Sequence, residues 1–182
     1  AGDKKSAVWV EPSTDGFKYC FTVPSSFLVL RRNGCVFCTG NSGKTVSTLW
    51  AYDYLRSQGI LHKLLVVSPL STLERAWGDE IFRNFPHLNF AVLHGDRRKR
   101  LKLLEQDADI YIINHDGVKI IVDALKDRPD IDQVVPDELA SFRNSGTDRW
   151  KALNTVCNKQ HPRGVWGLTG TPTPNAPTDA WA

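Results

Sequence analysis

The strongest constraint on this chain is a rhythm. Short apolar runs recur along it, and a polar or glycine-containing signature follows each one. The runs are Cys35-Val36-Phe37-Cys38, Leu64-Leu65-Val66-Val67, Phe90-Ala91-Val92-Leu93, Ile110-Tyr111-Ile112-Ile113, Val134-Val135 and Val165-Trp166-Gly167-Leu168. Amphipathic segments separate them. That alternation predicts an α/β fold with a mostly parallel central sheet. Helices are expected from Lys44 to about Ser57, with Val46, Leu49, Trp50 and Tyr54 inward and Gly59 as the stop. A second is expected after Ser71-Thr72-Leu73-Glu74, which has capping-box spacing, with Leu73, Ala76, Trp77, Ile81 and Phe85 on its inner face. Residues 97–106, 116–126 and a segment after Thr147-Asp148 are also read as helical. Residues 1–26 are the least regular part and are read as an arm of one or two strands with loops, leaving 27–182 as the main lobe.

Composition narrows the class. Of 182 residues, 41% are hydrophobic and 24% charged, which excludes a wholly disordered or collagen-like chain. No run approaches the roughly 18 apolar residues of a membrane span. The first residues, Ala1-Gly2-Asp3-Lys4-Lys5, lead into no apolar signal region. A net charge of +3 permits contact with nucleic acid without requiring it. Four cysteines are too few for a disulfide scaffold, and the expected setting is the reducing cytoplasm. Cys35 and Cys38 have no second pair to complete a zinc site and are read as packing residues. The chain contains no methionine, so it is expected to be processed or a fragment.

The polar signatures carry the chemistry. Gly43-Lys44-Thr45 stands between an apolar run and a helix, where a phosphate finds backbone N–H donors, a helix N-terminus and a cation together. Lys44 would reach the β- and γ-phosphates and the Thr45 hydroxyl would coordinate Mg²⁺. Asp137-Glu138 follows Val134-Val135, where one carboxylate can hold the Mg²⁺ shell and the other can polarise water. Gly167-Leu168-Thr169-Gly170-Thr171-Pro172 ends the last run. All of these lie after strands, where open α/β sheets bind ligands. The run Arg97-Arg98-Lys99-Arg100 is read as a solvated helix face, with phosphate-backbone contact as the alternative.

In order, Gly43-Lys44-Thr45, Val66-Val67-Ser68-Pro69-Leu70, Ile112-Ile113-Asn114-His115, Asp137-Glu138-Leu139-Ala140 and Gly167-Leu168-Thr169-Gly170-Thr171-Pro172 resemble the N-terminal RecA-like lobe of Swi/Snf-type helicase-like ATPases of superfamily two. The wording around Trp77-Gly78-Asp79-Glu80 and Asn175-Ala176-Pro177-Thr178-Asp179 is nearest to bacteriophage and bacterial members. The resemblance covers residues 27–182 and implies a three-layer α/β/α lobe. It implies that Gly40, Asn41, Ser42, Gly43, Lys44 and Thr45 form the phosphate loop for ATP, with Thr45 and Asp137 on Mg²⁺ and Glu138 activating water. It further implies that Ser68 and Pro69 lie along the nucleic-acid side, and that Thr169, Gly170 and Thr171 couple nucleotide state to the DNA path. The implied partners are duplex DNA and a second RecA-like lobe, with no membrane, in the cytoplasm of a bacterial or phage-infected cell.

The chain departs from the family at three places. Asn41 stands where the family has glycine, Pro136 precedes the acidic pair in place of an apolar residue, and Phe21 occupies the position of the adenine-reading glutamine. These substitutions keep a second reading open: a degenerate, non-catalytic lobe that docks DNA or protein.

Overall fold

The computed structural model describes residues 27–32, 35–40, 43–158 and 164–169. The chain divides into two units, residues 1–42 and 43–182. In the first, β1 (Phe27–Arg32) and β2 (Cys35–Gly40) form an antiparallel pair with Arg32 opposite Cys35. The run at Cys35 is thus a strand as expected, but it belongs to a hairpin and not to the parallel sheet. The reason is local: Asn33-Gly34, the two residues between the strands, is the dipeptide that two-residue hairpins favour.

The second unit holds the remaining runs as a parallel sheet. Its strands are β3 (Lys63–Ser68), β4 (Phe90–Leu93), β5 (Ile110–Asn114), β6 (Ile131–Pro136) and β7 (Gly164–Val165), in the spatial order β4-β5-β3-β6-β7. β3 lies at the centre, with Ser68 in register with Asn114 of β5 and Val67 with Pro136 of β6. Leu64 to Val67 and Ile110 to Ile113 are fully buried, as strands covered on both faces must be. The last run pairs for only two residues before thinning to a single bridge between Leu168 and Asp137.

Helices cover both faces. On one lie α1 (Lys44–Ser57), the π-helical turn Leu73–Gly78 and α2 (Asp79–Asn84), which pack Leu49, Tyr52, Trp77 and Ile81 onto Leu64, Val66, Ile112 and Val135. On the other lie α3 (Arg97–Leu104), α4 (His115–Ile120), α5 (Val122–Lys126) and α6 (Asp148–Asn158), which enclose Leu65, Val67, Tyr111 and Ile113. This is the expected three-layer α/β/α arrangement. No described helix is long and apolar enough to cross a membrane.

Several local expectations need correction. Trp50 and Tyr54 point outward, each 65% exposed, while Tyr52 is buried. The Tyr52 hydroxyl donates to the carbonyls of His62 and Asp109 and fixes which face of α1 turns inward. The Ser71–Glu74 capping box does not form: a 3₁₀ turn (Leu70–Thr72) runs into the π turn with no side-chain cap. The expected helix over 116–126 is two short helices parted at Ile121.

Candidate nucleotide site

α1 starts directly after Gly43, whose φ of 61° and ψ of 4° are left-handed and natural to glycine. The Gly43 carbonyl accepts from Ser47 N at 2.9 Å and closes the first helical turn. α1 has no side-chain cap and no acidic residue in its first turn, so nothing within the helix neutralises the partial positive charge at its N-terminus. Lys44 and Thr45 occupy its first two positions, both half-buried. Gly40 ends β2, while Asn41 and Ser42 lie outside the described residues.

The parallel register brings three of the polar signatures side by side at the carboxyl edge of the sheet. Asp137 N donates to Val67 O at 2.8 Å, which sets the acidic pair beside the end of β3 and Ser68. On its other side, Leu168 N donates to Pro136 O at 2.9 Å and Leu139 N to Leu168 O at 2.8 Å. Pro136 is accommodated as the last residue of β6, where the ladder to β7 is already thin. Ser68 is buried; its hydroxyl lies 2.6 Å from that of Thr72, which donates to Pro69 O at 3.0 Å. This small network fixes the bend after β3. Thr169 is described; Gly170 and Thr171 lie outside the described residues.

Asp137 is gripped at every polar atom. Besides its amide, its carbonyl accepts from His115 Nε2 at 2.9 Å, its Oδ1 accepts from Glu138 N at 3.0 Å, and its Oδ2 accepts from the Trp77 indole N–H at 3.2 Å. A carbonyl can only accept, so Nε2 of His115 carries a proton. Burial pushes the His115 pKa below its ordinary value. It packs edge-on against Phe142, with centroids 4.8 Å apart. Glu138 follows at φ 53° and ψ 54°, a left-handed conformation that costs a non-glycine residue about 1–3 kcal/mol and tends to persist at functional sites. It turns the chain sharply out of β6, and its side chain is exposed.

Trp77 and His115 are the site residues that the sequence did not single out by role. Trp77 lies within an apolar stripe and reads as core; its N–H, which needs a partner once buried, was the available signal. The basic run also divides in an unexpected way. Arg97, Arg98 and Lys99 are exposed, but Arg100 is 5% exposed, so the run is not a uniform solvated face. Among the described residues no cluster of His, Cys, Asp and Glu could hold a metal ion by itself, and Cys157 is buried.

The SNF2-related domain family matches residues 27–182. Putative protein p41 of Acyrthosiphon pisum secondary endosymbiont phage 1 is 33% identical over 147 residues, covering 76% of this chain and 32% of that protein. The ISWI chromatin-remodeling complex ATPase ISW2 of Saccharomyces cerevisiae is 31% identical over 146 residues, covering 77% of this chain and 12% of that protein. The chain therefore spans a third or less of these relatives. Among solved structures, the Sulfolobus solfataricus SWI2/SNF2 ATPase core in complex with dsDNA superposes with a TM-score of 0.65 at 31% identity, covering 76% of this chain and 28% of that one. The matched residues, the parallel order of the strands and the acidic pair at the end of β6 agree: the chain belongs to the SNF2-related domain family.

Proposed function

We propose that this chain is the ATP-binding lobe of a DNA-dependent ATPase that moves on duplex DNA when joined to a second RecA-like lobe. The observation that carries the reading is the row formed by Ser68, Asp137 and Leu168 on adjacent strand ends, with Asp137 held from four sides. A carboxylate at the end of a central parallel strand is where a metal-bound phosphate is received. In this reading Gly40 to Thr45 cradle the phosphates, Lys44 neutralises the β- and γ-phosphates, and Thr45 and Asp137 hold Mg²⁺. The donor set suits that ion: a hydroxyl and a carboxylate are hard oxygen ligands, and each Asp137 oxygen keeps a lone pair after accepting one hydrogen bond. The bound ion would supply charge neutralisation across the β- and γ-phosphates. Glu138, exposed next to Asp137, orients the attacking water and accepts its proton. Pro69, half-buried at the bend that the buried Ser68 fixes, faces the DNA path, and Thr169 to Thr171 relay nucleotide state to it. The solved relative bound to dsDNA supports duplex DNA as the partner, and the phage relative supports the cytoplasm of a bacterial or phage-infected cell as the setting.

The test is binding of a fluorescent ATP analogue with and without Mg²⁺. Lys44→Ala should weaken Mg²⁺-dependent binding by about 1.5–3 kcal/mol, the range for hydrogen bonds to charged groups, with an unchanged melting temperature. Unchanged affinity removes Lys44 from the site. Absence of nucleotide binding by the unaltered chain favours the docking-module reading, to which Asn41 and Phe21 point.

A further inference from the structure

We propose that Trp77 is a positioning residue for the Asp137 carboxylate, acting through its indole N–H. The inference rests on the reading of Asp137 as a Mg²⁺ ligand and assigns a task to a residue that otherwise reads as core. Trp77 is fully buried among Leu49, Leu64, Leu73 and Ile81, so its ring is confined by packing. Its one polar atom is a donor, and it finds Asp137 Oδ2, 60 residues away in sequence, at 3.2 Å. The π turn is the device that aims it. Asp79 N reaches back five residues to Glu74 O, so the turn holds one residue more than an α-helix would. Regular winding would rotate the indole by about 100° relative to the start of the turn.

The other bonds to Asp137 do not set the carboxylate from outside. The amide and the carbonyl fix the backbone, and Glu138 N belongs to the adjacent residue and travels with it. The Trp77 N–H comes from a separate element packed on the sheet. It decides which carboxylate oxygen faces the protein interior. Outer partners that orient a metal ligand in this way commonly change metal affinity by about 10–100-fold when removed.

The experiment uses the whole 182-residue chain in two measurements. In the first, tryptophan side chains are labelled with ¹⁵N, and the Trp77 indole resonance is identified as the one that survives substitution, one at a time, of each of the other five tryptophans by phenylalanine. It should move in Asp137→Asn, and should move on adding Mg²⁺ to the nucleotide-loaded unaltered chain. In the second, affinity for a fluorescent ATP analogue is measured with and without Mg²⁺. Trp77→Phe keeps a ring and removes the donor; it should lose about tenfold of the Mg²⁺-dependent gain while binding without Mg²⁺ holds. Ile81→Val removes a methyl from the same cluster and should keep the full gain. A Mg²⁺-dependent gain preserved in Trp77→Phe, or lost equally in Ile81→Val, overturns the inference and leaves the site reading standing. If the unaltered chain shows no Mg²⁺-dependent gain, the site reading fails and takes the inference with it. Should Trp77→Phe not fold, the resonance decides: a signal indifferent to Asp137→Asn overturns the proposal, and one that responds both to that change and to Mg²⁺ supports it.

Discussion

Arg100 shows what single residues in this protein must satisfy. Its Nε donates to Gly95 O at 2.7 Å and its Nη1 to Leu93 O, so the guanidinium closes the end of β4 against the start of α3. Burial pushes its pKa down. Gly117 makes room for it: a Cβ there would lie 2.3 Å from Arg100 Nη1. Exchange to methionine keeps the volume but leaves two carbonyls without their donor. Each such loss costs about 1–3 kcal/mol, partly offset by no longer burying a charge. Arg100→Met should therefore lower unfolding free energy by about 1–3 kcal/mol in urea titrations, while Arg97→Ala and Arg98→Ala stay within about 0.5 kcal/mol. Equal effects at all three positions would contradict the buried role. The sequence held a clue that four consecutive cations obscured. Arg100 stands one turn before Leu104 and so shares its inward face. Lys44 and Asp137 could be read as candidates because their residue types follow apolar runs; the contacts of Trp77 and His115 could not, because their partners lie 60 and 22 residues away.

At the scale of elements, the parallel strands were the most readable part, since burial on both faces writes itself as an unbroken apolar run. Helix faces were less readable. In α1 the aromatic pair Trp50 and Tyr54 outweighed Tyr52 in the pattern, yet hydrogen bonds of the Tyr52 hydroxyl at the sheet edge chose the face. The same amino edge holds a second device. Arg128 donates Nε to Asp130 Oδ1 at 2.7 Å and Nη2 to Asp130 Oδ2 at 2.6 Å, a two-pronged pair at the entry to β6. Its Nη1 also donates to Leu104 O at 2.6 Å, tying α3 to the start of that strand. The hydrogen bonds from Arg128 hold the Asp130 carboxyl below its usual range. A depressed carboxyl stabilises the fold above its unfolded pKa, about 3.9, and that contribution is lost as pH falls through the folded value. The unaltered protein should thus lose stability from about pH 4 downward. Asp130→Asn should melt lower at pH 7 and converge with it near pH 2. Melting curves that run parallel from pH 7 to pH 2 would show that the pair contributes nothing.

For the whole molecule, the question is how much of a catalytic centre 182 residues can supply. In the proposed site, Gly40 to Thr45, Asp137 and Glu138 hold phosphates, metal and water. Phosphoryl transfer also needs positive charge on the transferring group in the transition state, and an arginine placed there contributes about 10³–10⁵ in rate. Arg143 and Arg149 are the nearest candidates in sequence after the acidic pair. Arg149 is engaged elsewhere, with Nη2 2.9 Å from Asp116 Oδ2, and Arg143 Nε donates to Ala140 O at 2.9 Å within its own turn. The matched part covers 28% of the solved ATPase core, so most of that core has no counterpart in the aligned residues. The 182-residue polypeptide alone should therefore bind Mg-ATP yet release phosphate far below about 1 s⁻¹, the low end of ordinary turnover. Duplex DNA should not accelerate it, because in the proposed reading stimulation needs a second lobe to close over the nucleotide. Steady-state phosphate release with and without duplex DNA is the measurement. Turnover at or above that rate, stimulated by DNA, would mean that an arginine of this chain or of a second copy completes the centre. Arg143→Ala and Arg149→Ala would then separate those two sources, since mixing either inactive variant with Lys44→Ala restores activity only when the arginine acts across copies.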